Sequence, residues 1–244
     1  MSFWPDGVAI VAEVSCNHGG KVENAFRLID AAQDAGATHI KLQAYTADEV
    51  VALRGDGPAV PPWNHLTKRE LYERAATPLE WFPVLAEYCS EVGMPWFASV
   101  SGAESLAAME ACGCPVYKIA AMEADNEALI GMVQETGKYA IRSSPDRVRR
   151  KTPDGSRVLP VYCGPGYPQP KAGVAALQLR GYWGYSYHGT DPDIPAFAVA
   201  AGARYIETHL QLEDEPSKFE AEFAMTPSVF RQMVRRIRKA EAAL

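Results

Sequence analysis

The strongest constraint on what this chain can fold into is a rhythm. Eight short apolar runs occupy residues 8–13, 38–45, 95–100, 115–120, 139–144, 157–163, 182–187 and 204–210, and most are rich in Val, Ile, Tyr or Phe. Runs of this length and composition read as buried strands. Between them lie stretches with helical spacing at 23–35, 79–92, 104–111, 126–136, 171–179 and 194–201, and a last helix is expected over 228–243. Gly36, Gly137 and Gly202 stand where three of these helices should stop. Strand–helix alternation argues for a parallel sheet. Eight repeats in 244 residues favour a closed (β/α)8 TIM barrel, which typically takes about 250 residues, over an open doubly wound sheet. No linker interrupts the series, so residues 1–244 are expected to form a single domain.

Two connections break the rhythm. Only residues 145–156 separate the fifth strand from the sixth, and Pro153 and Gly155 interrupt them. That is too short for a full crossover helix with two loops, so helix five is expected to be reduced or missing. Its cations, Arg147, Arg149, Arg150 and Lys151, read as a solvated loop. The outer faces of strands five and six would then be open to a partner, and a homo-oligomer is expected. The other irregular connection, 46–78, carries Gly55-Asp-Gly-Pro58 and Pro61-Pro-Trp63. Connections this long often cover active sites.

Composition narrows the function classes. Net charge is −6, so no global basic field recruits nucleic acid or an anionic membrane. No apolar run approaches the length of a membrane span. The five cysteines are odd in number and scattered, which suits a reducing compartment and a cytoplasmic location. Cys112-Gly-Cys114 has no second pair at zinc-finger spacing and reads as two small buried side chains.

Active sites of (β/α)8 barrels lie at the C-terminal ends of the strands. The first strand delivers Glu13 there, followed by Ser15, Asn17, His18 and the turn Gly19-Gly20. A carboxylate at the end of a buried strand needs a partner or a task. The second strand offers Lys41 and Gln43, which alternate with Ile40 and Leu42 and so share one side, the lumen of a barrel. The remaining ends carry Ser99; Lys118 and Glu123; Arg142, Ser143 and Ser144; Tyr162 and Cys163; Ser186 and His188; Glu207 and His209. Two histidines on adjacent strand ends can share a divalent metal. Two lysines with several hydroxyls suit a small multiply charged anion such as a phosphate ester. Metal, anion site and carboxylate together suggest carbonyl chemistry. Blander readings compete. The lysines could simply pair with carboxylates, as Lys41–Glu13 and Lys118–Glu123. His39 and His65 read as satisfied core residues, and no dedicated base is apparent beside Cys163.

Ile10-Val-Ala-Glu-Val-Ser-Cys-Asn-His-Gly19, Lys41-Leu-Gln43, Tyr117-Lys-Ile-Ala120 with Glu123, Gly184-Tyr-Ser-Tyr-His188, Ile206-Glu-Thr-His209 and Phe223-Ala-Met-Thr-Pro227 jointly resemble the sialic acid synthase family. The resemblance implies a barrel enzyme that condenses phosphoenolpyruvate with an open-chain amino sugar such as N-acetylmannosamine, using a divalent metal, Mn2+ foremost, with Mg2+ or Co2+ as alternatives. By position it makes His188 and His209 metal ligands and places phosphoenolpyruvate on Lys41, Gln43, Ser99, Lys118 and Ser143. Glu13 becomes the acid/base. Glu123, Tyr167, Ser186 and Glu220 line the sugar and metal side. The family usually adds a C-terminal antifreeze-like domain whose arginine reaches into the partner subunit's site, and this contact is expected to be missing here. Ser186-Tyr-His-Gly189 and Ala120-Ala-Met-Glu123 also depart from the usual motifs, Glu220 stands for an aspartate, and Pro165 replaces a residue that is commonly an amide. The phosphoenolpyruvate half is therefore better kept than the sugar half. Another metal-dependent barrel aldolase or isomerase, or a non-catalytic protein derived from a synthase, are the competing expectations.

Overall fold

The computed structural model describes residues 3–144, 157–169, 179 and 181–244. Its eight strands close into a barrel in sequence order, and every neighbouring pair is parallel. They are β1 (Ala9–Glu13), β2 (His39–Gln43), β3 (Trp96–Ser99), β4 (Val116–Ile119), β5 (Tyr139–Ser144), β6 (Val158–Cys163), β7 (Gly184–Tyr187) and β8 (Tyr205–His209). The expected (β/α)8 architecture is the observed one. Residues 145–156, where helix five was expected to be reduced, and most of the expected helix 171–179 lie outside the described residues.

Helices α1 (Val22–Ala35), α4 (Phe82–Glu91), α5 (Ala103–Ala111), α6 (Glu127–Glu135), α7 (Ile194–Ala200) and α8 (Pro227–Glu241) follow strands β1, β2, β3, β4, β7 and β8. The 46–78 connection is more ordered than its glycines and prolines suggest. It holds α2 (Ala47–Arg54) and α3 (Lys68–Ala75), and each opens on a reciprocal capping box, Thr46 with Glu49 and Thr67 with Glu70. Thr46-Ala-Asp-Glu49 and Thr67-Lys-Arg-Glu70 both carry the Thr-x-x-Glu pattern, so the signal for both helices was present. His65 falls between them and is exposed, which corrects the expectation of a core histidine. His39 is buried as expected and contacts the Phe3 carbonyl at 2.9 Å.

The strand period of two sorts the side chains. Ile40, Leu42, Ala98, Tyr117 and Ile206 turn toward the helical layer, where Leu28, Phe82, Leu85, Phe230, Met233 and Ile237 are buried. The intervening residues fill the lumen. At its lower end Trp4 packs on the rings of His39, Phe97, Trp183 and Tyr205 at 4.8–5.9 Å. Here β7 begins with Gly184, because a Cβ at that position would stand 2.2 Å from the Tyr205 carbonyl oxygen. Aromatics thus fill the lower end, and the polar part of the lumen lies toward the strands' C-terminal ends.

Candidate active site

One cavity at this upper end is lined by Glu13, Lys41, Gln43, Ser99, Lys118, Ser143, Tyr167, Ser186, His188, His209 and Glu220. Of the site residues expected from the sequence, only Glu123 is not among its lining. Barrel closure is what brings them together. The parallel registers place Glu13 beside Lys41 and His209, Ser99 beside Lys118 and Gln43, and Ser186 beside Cys163 and Glu207.

The lysines organise the base of the cavity. Lys41 Nζ lies 2.5 Å from Glu13 Oε2 and 2.7 Å from Glu207 Oε1. Lys118 pairs with the same Glu207 oxygen, which also accepts from the Ser186 hydroxyl at 2.9 Å. The Lys41–Glu13 pair expected from the sequence is present, but the Lys118–Glu123 pair is not. Glu123 follows β4 and turns outward to Arg54 of α2, while Lys118 points into the lumen toward β8. Glu207, which the sequence offers only as a strand-end residue, is thus the shared partner of both lysines. Its position two residues before His209, on the same face of β8, was the available signal.

These contacts set the protonation states. Burial opposes the charge on Glu207, but Lys118 and Lys41 outweigh it and hold the carboxyl well below its ordinary range. Burial pushes Lys118 down to about 8, with Glu207 opposing the fall and Lys41 adding to it. For Lys41, burial is outweighed by Glu13 and Glu207, and its pKa is raised. Ser143 Oγ is buried in the same cavity with no hydrogen-bond partner among the described residues. A hydroxyl can both donate to and accept from a polar ligand that reaches this pocket.

The histidines form the second feature. Their ring centroids are 4.9 Å apart. His209 Nδ1 lies 2.6 Å from Glu220 Oε2, and Glu220 also accepts from the Ser15 hydroxyl at 2.7 Å. Burial works against the His209 imidazolium, and Glu220 outweighs it and raises the pKa. A ring held by a carboxylate at Nδ1 presents Nε2 as its free face, the usual support of a metal-ligating histidine. Burial pushes His188 well below its ordinary value and keeps it neutral. Gln169, whose amide donates to the Gly164 and Ser186 carbonyls, lies 3.3 Å from His188 Nδ1. The donor set therefore fits a divalent ion held by two imidazoles. Among the described residues no cluster of three His, Cys, Asp or Glu side chains forms a complete protein shell. Cys163 Sγ is 3.8 Å from His188 Nδ1, closer to an imidazole than the sequence suggested. Burial nevertheless pushes its thiol up to about 11, which leaves no poised thiolate.

Ser15 ties the two features together. It is the one non-glycine residue with positive φ, +46°, among those described. This backbone turns its N–H onto Glu13 Oε1 at 2.8 Å, and its hydroxyl reaches both Gln43 and Glu220. The sequence showed a serine before a Gly-Gly turn, and the left-handed backbone was not legible there.

Comparison with known proteins agrees with this geometry. The profile of the NeuB family matches residues 28–145 and 175–244. The pseudaminic acid synthase of Campylobacter jejuni subsp. jejuni serotype O:23/36 (strain 81-176) is 30% identical over 262 residues, covering 97% of this chain and 75% of that protein. The spore coat polysaccharide biosynthesis protein SpsE of Bacillus subtilis (strain 168) is 28% identical, covering 97% and 68%. Among solved structures, the N-acetylneuraminic acid synthetase of Leptospira borgpetersenii serovar Hardjo-bovis, in complex with citrate, superposes with a TM-score of 0.82 at 25% identity, covering 98% of this chain and 85% of that one. A truncated 3-deoxy-D-arabino-heptulosonate 7-phosphate synthase from Thermotoga maritima, 13% identical with a TM-score of 0.70, shares the fold. With its barrel closed, its lysines and histidines at one mouth and most of its length matched by one profile, the chain belongs to the NeuB family.

Proposed function

We infer that this chain is a carbon–carbon bond-forming sugar-acid synthase that joins phosphoenolpyruvate to an open-chain aldose or amino-sugar aldehyde and releases phosphate. One observation carries the reading. Two buried ammonium groups, Lys41 and Lys118, meet at Glu207 in the cavity that also holds the histidine pair and the buried Ser143 hydroxyl, which has no partner among the described residues. The relatives named as pseudaminic acid synthases support the sugar-acid product class.

In this reading the phosphate and carboxylate of phosphoenolpyruvate take Lys41, Lys118, Ser99, Ser143 and Gln43 as partners. An ammonium has three N–H donors, so an incoming anion can share the lysines with Glu207 and Glu13. C3 of phosphoenolpyruvate forms the new bond to the aldehyde carbon, and the aldehyde oxygen takes up a proton. Water adds at C2, and phosphate departs with cleavage of its C–O bond, leaving a 2-keto-3-deoxy acid. Glu13, oriented by the Ser15 N–H and Lys41, is positioned to accept the proton of that water. His188 and His209 would hold a divalent ion, Mn2+ foremost, whose chemistry when bound is polarisation of the aldehyde carbonyl. Tyr167, Ser186 and Glu220 would face the acceptor.

The test is phosphate release from phosphoenolpyruvate with a panel of aldoses and acylamino-aldoses, with and without Mn2+. Release is expected only when an aldehyde, phosphoenolpyruvate and the metal are all present. A metal-loaded protein that releases no phosphate with any aldehyde would contradict the reading.

A further inference from the structure

The outer wall of the cavity comes from the excursion between β2 and β3, and one residue there lacks an assigned task. Arg54, the last residue of α2, lines the cavity together with Trp63, Lys68, Leu71, Tyr72 and Met122. Its guanidinium is clamped in place. One Nη donates to the Tyr72 hydroxyl at 2.8 Å, and the other pairs with Glu123, which is 1% exposed. Lys68 Nζ donates to the Arg54 carbonyl at 2.9 Å and fixes the end of the helix. Even so, Arg54 Nε and Glu123 Oε2 are both buried with no hydrogen-bond partner among the described residues. A buried ion pair left with one free donor and one free acceptor is costly unless something completes it.

Resting on the synthase reading above, we propose that Arg54 is the acceptor-recognition residue of this site, its guanidinium donating to an uncharged oxygen, a hydroxyl or acyl carbonyl, at the outer end of the aldehyde substrate. Arg54 belongs to the α2–α3 excursion that follows β2, not to the strand ends that carry Lys41 and Lys118, which the synthase reading gives to phosphoenolpyruvate. The charge balance selects the ligand class. Glu123 already neutralises the guanidinium, Lys68 Nζ is turned to the Arg54 and Gly55 carbonyls, and the wall around them includes Val60, Trp63, Leu71 and Met122. A dianionic group would meet a compensated cation beside a buried carboxylate. A neutral carbonyl or hydroxyl can take a guanidinium N–H that the Tyr72 and Glu123 contacts leave free. Glu123 is then a positioning residue acting through Arg54, which accounts for its absence from the cavity wall.

The test is steady-state phosphate release from phosphoenolpyruvate with neutral acylamino-aldoses, N-acetylmannosamine first, each paired with its 6-phosphate. The unaltered chain should prefer the neutral form. Arg54→Ala should raise the acceptor KM by about 10- to 100-fold, the worth of one charge-assisted hydrogen bond, and leave the KM for phosphoenolpyruvate unchanged. Arg54→Lys keeps the ion pair but not the planar fork, and serves where Arg54→Ala fails to fold. It should show the same split, and Glu123→Gln a smaller one. An unchanged acceptor KM in a folded Arg54 variant, or a preference for the phosphorylated acceptor, overturns the assignment alone. No phosphate release by the unaltered chain with any pair overturns the synthase reading and the assignment with it.

Discussion

His209 Nδ1 lies 2.6 Å from the Glu220 carboxylate, and the contact is buried on both sides. Glu220 stands eleven residues beyond β8, in a segment that folds back over the barrel mouth and places Met225 N on the His209 carbonyl at 2.8 Å. A carboxylate at Nδ1 fixes the ring's tautomer and makes Nε2 the better donor to a cation. Glu220→Gln should therefore weaken Mn2+ binding by about 10- to 100-fold, read by calorimetry on the folded protein. Unchanged affinity would remove the histidine pair from the metal assignment.

The second prediction concerns pH. Lys118, held down to about 8 by burial, carries its positive charge below that value and loses it above. Affinity for an anion at this lysine is thus present at neutral pH and falls as pH rises through about 8. The KM for phosphoenolpyruvate should climb above pH 8, approaching tenfold per unit. Lys118→Arg, which stays charged, should flatten the climb. A KM that is flat from pH 7 to 9.5 in the unaltered chain would contradict it.

Glu207 is the shared anion beneath both lysines. Removing it leaves two buried ammonium groups with only Glu13 for company. Glu207→Ala should cost about 3–5 kcal/mol of stability, as breaking one side of a buried ion pair does, measured by denaturant unfolding at pH 7. Added phosphate should restore part of that loss, because it supplies the missing negative charge.

His18 gives an acid limit. It is buried against Trp81, contacts the Thr77 hydroxyl at 3.0 Å, and burial pushes its pKa down to about 4, with Glu220 opposing. The unfolded chain binds this proton near pH 6.5 and the folded chain only near 4. Its contribution to stability is therefore present above pH 6.5 and is lost as pH falls toward 4, by roughly 3 kcal/mol in all. Melting temperature should drop across that window, and His18→Gln should reduce the slope. An equal slope in both proteins would show that His18 titrates normally.

Much of this was legible in the sequence because a strand's period is local. The alternation of Lys41 and Gln43 with Ile40 and Leu42 assigns their faces before any tertiary contact is known, and eight repeats imply closure. Pairing was less legible, because partners across a barrel lie far apart in the chain, Lys41 and Glu207 by 166 residues. Lys118 was matched with the nearby Glu123 in sequence, whereas closure delivers β8 to it instead. Arg54 is hidden in the sequence for a related reason. Nothing in Val50-Val-Ala-Leu-Arg54 marks a site residue until the α2–α3 pair folds over the mouth. The backbone of Ser15 was hidden because a positive φ at a serine has no sequence signature of its own.

A crystal structure of the unaltered chain with phosphoenolpyruvate and Mn2+ asks whether these groups work as one centre. The expected map shows the phosphate on Lys118 and Ser143, the ion on His188 and His209, and space between the ion and Arg54 for an aldehyde. Phosphoenolpyruvate bound away from Lys41 and Lys118, or an ion that ignores the two imidazoles, would contradict the synthase reading.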